Sequence, residues 1–207
     1  MAIIHKNATV TPTKLEMVSS WLPGQPWYAG TAAGLAKAGG FRLDDPAGQV
    51  GIEFMVVADG PVHYHVPLTY RPAPLAGGEP ALVGEAEHSV LGRRWVYDGA
   101  HDPVCVDTLL ALFSGTAVPQ AQSETDQDDP TVHSRCAGIE GVAPVAGPVV
   151  ANGSDGTDVR VRRDLLLRLR RVLRDGADLP DCLGDVTACW RQDERTARDA
   201  FALLIAG

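Results

Sequence analysis

Lysine stands only at positions 6, 14 and 37 of this 207-residue chain. A phosphotransferase of the two-lobed kinase type needs a lysine to position phosphates, a carboxylate or amide to hold magnesium and an aspartate to orient the acceptor hydroxyl. No His-x-Asp catalytic-loop pattern occurs, no Gly-x-x-x-x-Gly-Lys-Ser/Thr phosphate loop is present, and Gly39-Gly40 is too short to replace one. These absences argue against autonomous phosphoryl transfer, so the expectation is a non-enzyme that needs no cofactor.

Long apolar runs are missing too. Ile52 to Ala58 is interrupted by Glu53 and falls far short of a bilayer span, and the first residues lack a charged region followed by an apolar one, so a cytoplasmic protein is expected. Cysteine is sparse: Cys105, Cys136, Cys182 and Cys189 form no Cys-x-x-Cys pair, which points to reduced thiols. Ser89 and Ser114 have no Gly-x-Ser-x-Gly setting, so a serine nucleophile has no support. A net charge of −8 disfavours nucleic acid and anionic membranes as partners.

Two further patterns could carry chemistry. His63-x-His65 on a strand would put two imidazoles on one face, but no third ligand is evident and no metal is assigned. Glu85 and Glu87 alternate in the same way and read as the solvated side of a sheet rather than a catalytic carboxylate pair. The arginines between Arg160 and Arg174 sit close together with Asp158, Asp164 and Asp175, which reads as an internally compensated surface. Polyanion binding is the competing reading.

What the sequence does contain is a series of short elements. Ala2 to Val10 reads as a strand, and Thr11-Pro12 as the cap and first turn of a short helix that Pro23-Gly24 stops. Gly34 to Leu43, Val50 to Ala58, Val62 to Tyr70, Leu82 to Val90 and Arg94 to Tyr97 read as strands separated by Asp-Pro-Gly turns, which predicts an antiparallel meander. Asp102-Pro103 caps a second helix with Val106, Leu109, Leu110 and Phe113 on one face. Residues 116–135 are polar and acidic and read as a flexible linker. Beyond them, 136–207 reads as a small β-rich region, with 159–173 leaning to strand although a helical face is also possible. The fold class is therefore α+β, an antiparallel sheet with few helices, divided as 1–115, 116–135 and 136–207.

Three stretches resemble a known family. Trp21-Leu-Pro-Gly-Gln-Pro-Trp-Tyr-Ala-Gly30 is similar to a segment near the start of actinobacterial maltokinases. His65-Val-Pro-Leu-Thr-Tyr-Arg71 with Ala73-Pro-Leu75, and Glu87-His-Ser-Val-Leu-Gly92 with Arg94-Trp-Val-Tyr-Asp98 and His101-Asp-Pro103, resemble the N-terminal cap of that family and its adjoining part. The resemblance covers about residues 15–115. It implies a cystatin-like cap, a curved sheet cradling a helix. In that family the cap precedes a kinase that phosphorylates maltose with ATP, on a route joining trehalose to α-glucan.

This sequence departs from the family where Pro26 replaces a basic residue, and no kinase lobe follows, so the family's catalytic residues have no positions here. The expectation is a non-catalytic interaction or regulatory module whose partner is a kinase or an α-glucan enzyme. The alternative is an accessory subunit that binds ATP or a sugar phosphate. The candidate ligand or partner surface is Tyr70, Arg71, His88, Arg94 and Asp98, where aromatic, basic and acidic groups gather near strand ends. Trp21, Trp27, Tyr70, Trp95 and Tyr97 read as packing anchors, and Asp98 and Asp102 as turn and cap acceptors.

Overall fold

The computed structural model describes residues 8–122, 127–137 and 147–207. Strand β1 (Val10–Thr11) leads into helix α1 (Lys14–Trp21); the strand expected over Ala2 to Val10 falls mostly outside the described residues. The helix is capped by Thr13 rather than Thr11. The Thr13 hydroxyl accepts from the Glu16 amide while the Glu16 carboxylate accepts from the Thr13 amide at 2.7 Å. A threonine with glutamate three residues on satisfies two otherwise orphaned amides, which Thr11, with Lys14 at that spacing, cannot do. Pro23 is the second residue of the short 3-10 turn Leu22–Gly24 that ends the helix.

Strands β2 (Ala36–Asp44), β3 (Gly51–Asp59), β4 (Val62–Arg71), β5 (Leu82–His88) and β6 (Gly92–Asp98) follow the expected boundaries closely and pair antiparallel throughout. The turns work as their residues dictate. Asp45 accepts from the amides of Ala47, Gln49 and Val50 to close the β2–β3 turn. The arrangement is not a simple meander, however, because β6 lies against β4 and β5 is displaced outward. The β4–β5 connection holds Pro72, Pro74 and Pro80, which have no N–H to donate to a ladder, and it is too long for a tight hairpin.

Helix α2 (Pro103–Phe113) matches its expectation. The Asp102 carboxylate accepts from the Val104 amide, and Val106, Leu109, Leu110 and Phe113 are all buried. Strand β7 (Gln120–Ala121), within the polar stretch 116–135, and β8 (His133–Cys136), which runs one residue past it, pair with β2 and with the later strand β13.

The last third is β-rich as expected: β9 (Val149–Asn152), β10 (Gly156–Arg162), β11 (Leu165–Arg170), β12 (Val172–Leu173), β13 (Gly184–Gln192) and β14 (Arg195–Ala206). Residues 159–173 hold strand segments joined by a turn at Arg163 and Asp164 and by Arg171, and the period-two reading wins because Leu165, Leu167 and Leu169 face a core while Arg168 faces solvent.

These strands share a sheet with β1–β6. The order runs β1-β5-β6-β4-β3-β2-β13-β14-β11-β10-β9, and β12 pairs back onto β4. The path from β4 through β2, β13, β14 and β11 thereby returns to β4. The junction of β13 with β2 is the single pair Trp190 and Gly39. A Cβ on Gly39 would stand 3.3 Å from the Trp190 Cα, so glycine permits the approach. One core, with Phe41, Phe54, Val56, Leu167 and Phe201, packs under α2; a second, with Met55, Val57, Tyr64, Val66 and Trp27, packs under α1.

Candidate functional site

Strand register builds a row of polar side chains across the α1 face of the sheet. Arg42 on β2 pairs with Glu53 on β3, Gly51 pairs with Tyr70 on β4, Tyr70 with Val96 on β6, and Arg94 with Ala86 on β5. Paired residues share a face and every second residue returns to it, so Arg42, Glu53, Tyr70, Arg94 and His88 fall on the same side. Lys14 of α1 hangs over the row and Gln122 closes it beyond β7. Together they line a cleft of about 470 Å³ whose rim includes Asp45 and Gln49.

Glu53 is the floor of this cleft and is only 2 % exposed. Its Oε2 accepts from the Lys14 ammonium and from the Tyr70 hydroxyl at 2.8 Å, and its Oε1 accepts from Gln122 Nε2 at 2.8 Å. Burial pushes its pKa upward, but the Lys14 ammonium, the Tyr70 hydrogen bond and the more distant Lys37 together hold it below the ordinary glutamate value. The carboxylate is therefore ionised. Burial, and then Glu53 itself, push the Tyr70 phenol well above its usual range, so Tyr70 stays a donor. Lys14 also lies 5.2 Å from the centre of the Tyr70 ring, which clamps it from two sides.

The five candidate surface residues divide between two places. Tyr70, His88 and Arg94 line the cleft. His88 Nδ1 accepts from the amides of Val90 and Leu91 at 3.2 and 3.1 Å, which puts the ring proton on Nε2 when the imidazole is neutral. Arg71, one residue after Tyr70, turns to the opposite face and forms a two-pronged pair with Asp102, both contacts at 2.6 Å. Asp98 is buried; it caps a short turn through the Ala100 amide and receives the guanidinium of Arg171. Arg71 and Asp98 are thus structural ion-pair members outside the described cleft lining.

Glu53 is the residue that sequence reasoning treated merely as a break in an apolar run. That break was the signal: a lone carboxylate in a strand otherwise made of Ile52, Phe54, Met55, Val56 and Val57 requires a buried partner. His63 and His65 do share a face, as expected, but it is the core face. Their rings pack against Trp190 and Phe201 at 5.9 and 4.6 Å. Among the described residues no three His, Cys, Asp or Glu side chains converge as metal ligands.

Glu85 and Glu87 are exposed and both face Arg93. Four arginines of the cluster pair with carboxylates: Arg162 with Asp164, Arg168 with Asp158, Arg170 with Asp199 and Arg171 with Asp98.

An α+β antiparallel sheet with two short helices and a polar cleft is the class this structure defines, and no described helix is long and apolar enough to cross a membrane. Residues 21–102, less than half of the chain, match the family model of the maltokinase N-terminal cap domain. The match runs from the end of α1 to the cap of α2 and contains Glu53, Tyr70, Arg71, His88, Arg94 and Asp98. The chain therefore carries a maltokinase-related module. No curated protein matches the sequence.

Proposed function

We propose that the protein is a non-catalytic module of the maltokinase cap type that binds a kinase or an α-glucan enzyme and serves an interaction or regulatory role in trehalose, maltose and α-glucan metabolism. The observation that carries this reading is the match over residues 21–102 in a sequence that has no phosphate loop and no kinase catalytic-loop motif. Residues 1–115 are the cap-like unit in this reading, 116–135 the connection and 136–207 the β-rich part that packs beside it. The test is co-elution of the purified protein with a maltokinase-type kinase and with α-glucan enzymes, alongside an assay for ATP-dependent maltose phosphorylation by the chain alone. A stable complex without turnover is expected. Phosphorylation by the isolated chain overturns the reading, and so does failure to bind any of these enzymes.

A second reading is favoured by the cleft, where Lys14, Arg42 and Arg94 gather in a protein of net charge −8. In it the protein is an accessory subunit that holds a phosphorylated small molecule for its partner.

A further inference from the structure

The cleft has two chemically different ends, and strand order sets them apart. From β5 to β2 the row reads His88, Arg94, Tyr70, Glu53 and Arg42, with Gln122 beyond. Neighbouring strands lie about 4.8 Å apart, so the row crosses four such intervals and the ends are well separated. At the β5–β6 end Arg94 is half-buried, donates to its neighbour's carbonyl at 3.1 Å, and has no carboxylate partner among the described residues. At the β2–β3 end a carboxylate, an amide and a guanidinium stand side by side as Glu53, Gln122 and Arg42. A hydroxyl both donates and accepts, and such an interleaved set suits several hydroxyls at once. A bare anion would meet Glu53 there and be repelled.

We propose that the cleft binds a small phosphate monoester carried on a polyhydroxylated body, with the phosphate at Arg94 and Lys14 and the hydroxyls at Glu53 and Gln122. This rests on the second reading above and specifies its ligand. Lys14 is shared between the ends: one N–H is committed to Glu53 and the ammonium has two more to offer. The volume of about 470 Å³ falls in the range of small-molecule sites, which runs from roughly 300 to 1,000 Å³. Glu53 selects by what it lacks. Held ionised by its partners, it accepts hydrogen bonds and gives none, so it favours a hydroxyl donor over a second phosphate.

Calorimetry on the full chain with three probes decides the matter: a hexose monophosphate, the parent hexose and inorganic phosphate. The hexose monophosphate is expected to bind more tightly than either of the others. Arg94→Ala is expected to weaken it about tenfold or more, the size of one lost charge-assisted contact, while leaving the parent hexose unaffected. Gln122→Ala is expected to weaken the two sugars and spare inorganic phosphate; it lies at the edge of the cleft, so the variant separates binding from the folding cost that Glu53→Gln could bring. No binding of the monophosphate, or equal binding by the wild type and Arg94→Ala, overturns the proposal. Either result leaves complex formation with a kinase or α-glucan enzyme untouched, so Arg94→Ala in the co-elution experiment tells the two failures apart.

Discussion

Arg171 and Asp98 are 73 residues apart in sequence and meet where neither touches solvent: Nη2 of the arginine donates to both carboxylate oxygens, at 2.8 and 2.6 Å. Nε of Arg171 donates to Thr157 at 2.8 Å, its guanidinium carbon lies 5.0 Å from the Trp27 ring centre, and its backbone carbonyl accepts from the His65 amide. Asp98 belongs to the stretch that matches the cap family, whereas Arg171 joins β11 to β12 outside it. The pair ties the last third of the chain to the first.

Removing one member strands the other as a buried charge. Asp98→Ala or Arg171→Leu alone is expected to lower stability by about 3–5 kcal/mol. The double replacement should cost less than the sum of the two, because no unpaired charge remains. Urea melts of the four proteins measure the coupling, and strictly additive losses would refute it.

Acid should unfold the protein through His65. Burial, reinforced by the nearby Arg171, pushes its pKa down from 6.5 to about 3, so the folded state keeps the ring neutral while the unfolded chain takes up a proton. The sign follows: His65 has no effect above pH 6.5, and stability falls as pH drops from there toward 3, with a slope reaching about 1.4 kcal/mol per pH unit. His65→Gln should flatten that limb of the stability profile relative to wild type. An unchanged slope between the two would show that the ring titrates normally.

Gly40 and Gly48 provide a matched pair of backbone tests. Both have positive φ, +129° and +66°, but a Cβ on Gly40 would meet the Phe54 carbonyl oxygen at 2.0 Å while one on Gly48 would meet nothing within 4 Å. Gly48→Ala is expected to cost only the conformational strain, about 1–2 kcal/mol. Gly40→Ala should cost clearly more, since the β2–β3 ladder itself has to shift, and thermal melts will rank the two.

Core and surface should separate in the same way. Leu109→Ala empties a position on the buried face of α2 and is expected to cost about 2–5 kcal/mol. Arg162→Ala breaks a pair with Asp164 in which both side chains are more than half exposed, and should leave the melting midpoint close to that of the wild type. A larger loss for Arg162 would mean that the arginine face does more than stay solvated.

Much of the fold was legible because its signals are local. Asp102-Pro103 ahead of an i, i+3, i+4, i+7 apolar pattern defines α2 without help from the rest of the chain, and the Asp45 and Asp59-Gly60 turns delimit β2, β3 and β4. For 159–173 the alternation only leaned to strand, because Leu165, Leu166, Leu169, Val172 and Leu173 also fit a helical face; the burial of Leu165, Leu167 and Leu169 decides for the period of two. The cleft was half visible. Tyr70, His88 and Arg94 belong to it, but Arg71, next to Tyr70, points away because successive strand residues alternate faces.

The sequence by itself thus determined the fold class, the cap of α2 and the boundaries of β2 to β6, all of which rest on residue type and short-range spacing. Tertiary structure decided the rest. It placed β6 between β4 and β5, brought β13 onto Gly39, and set Arg171 against Asp98. It also surrounded Glu53 with Lys14, Tyr70 and Gln122 from three separate segments. Each of these depends on which distant strands become neighbours, and a buried charge reveals only that it needs a partner, never which one the fold will bring.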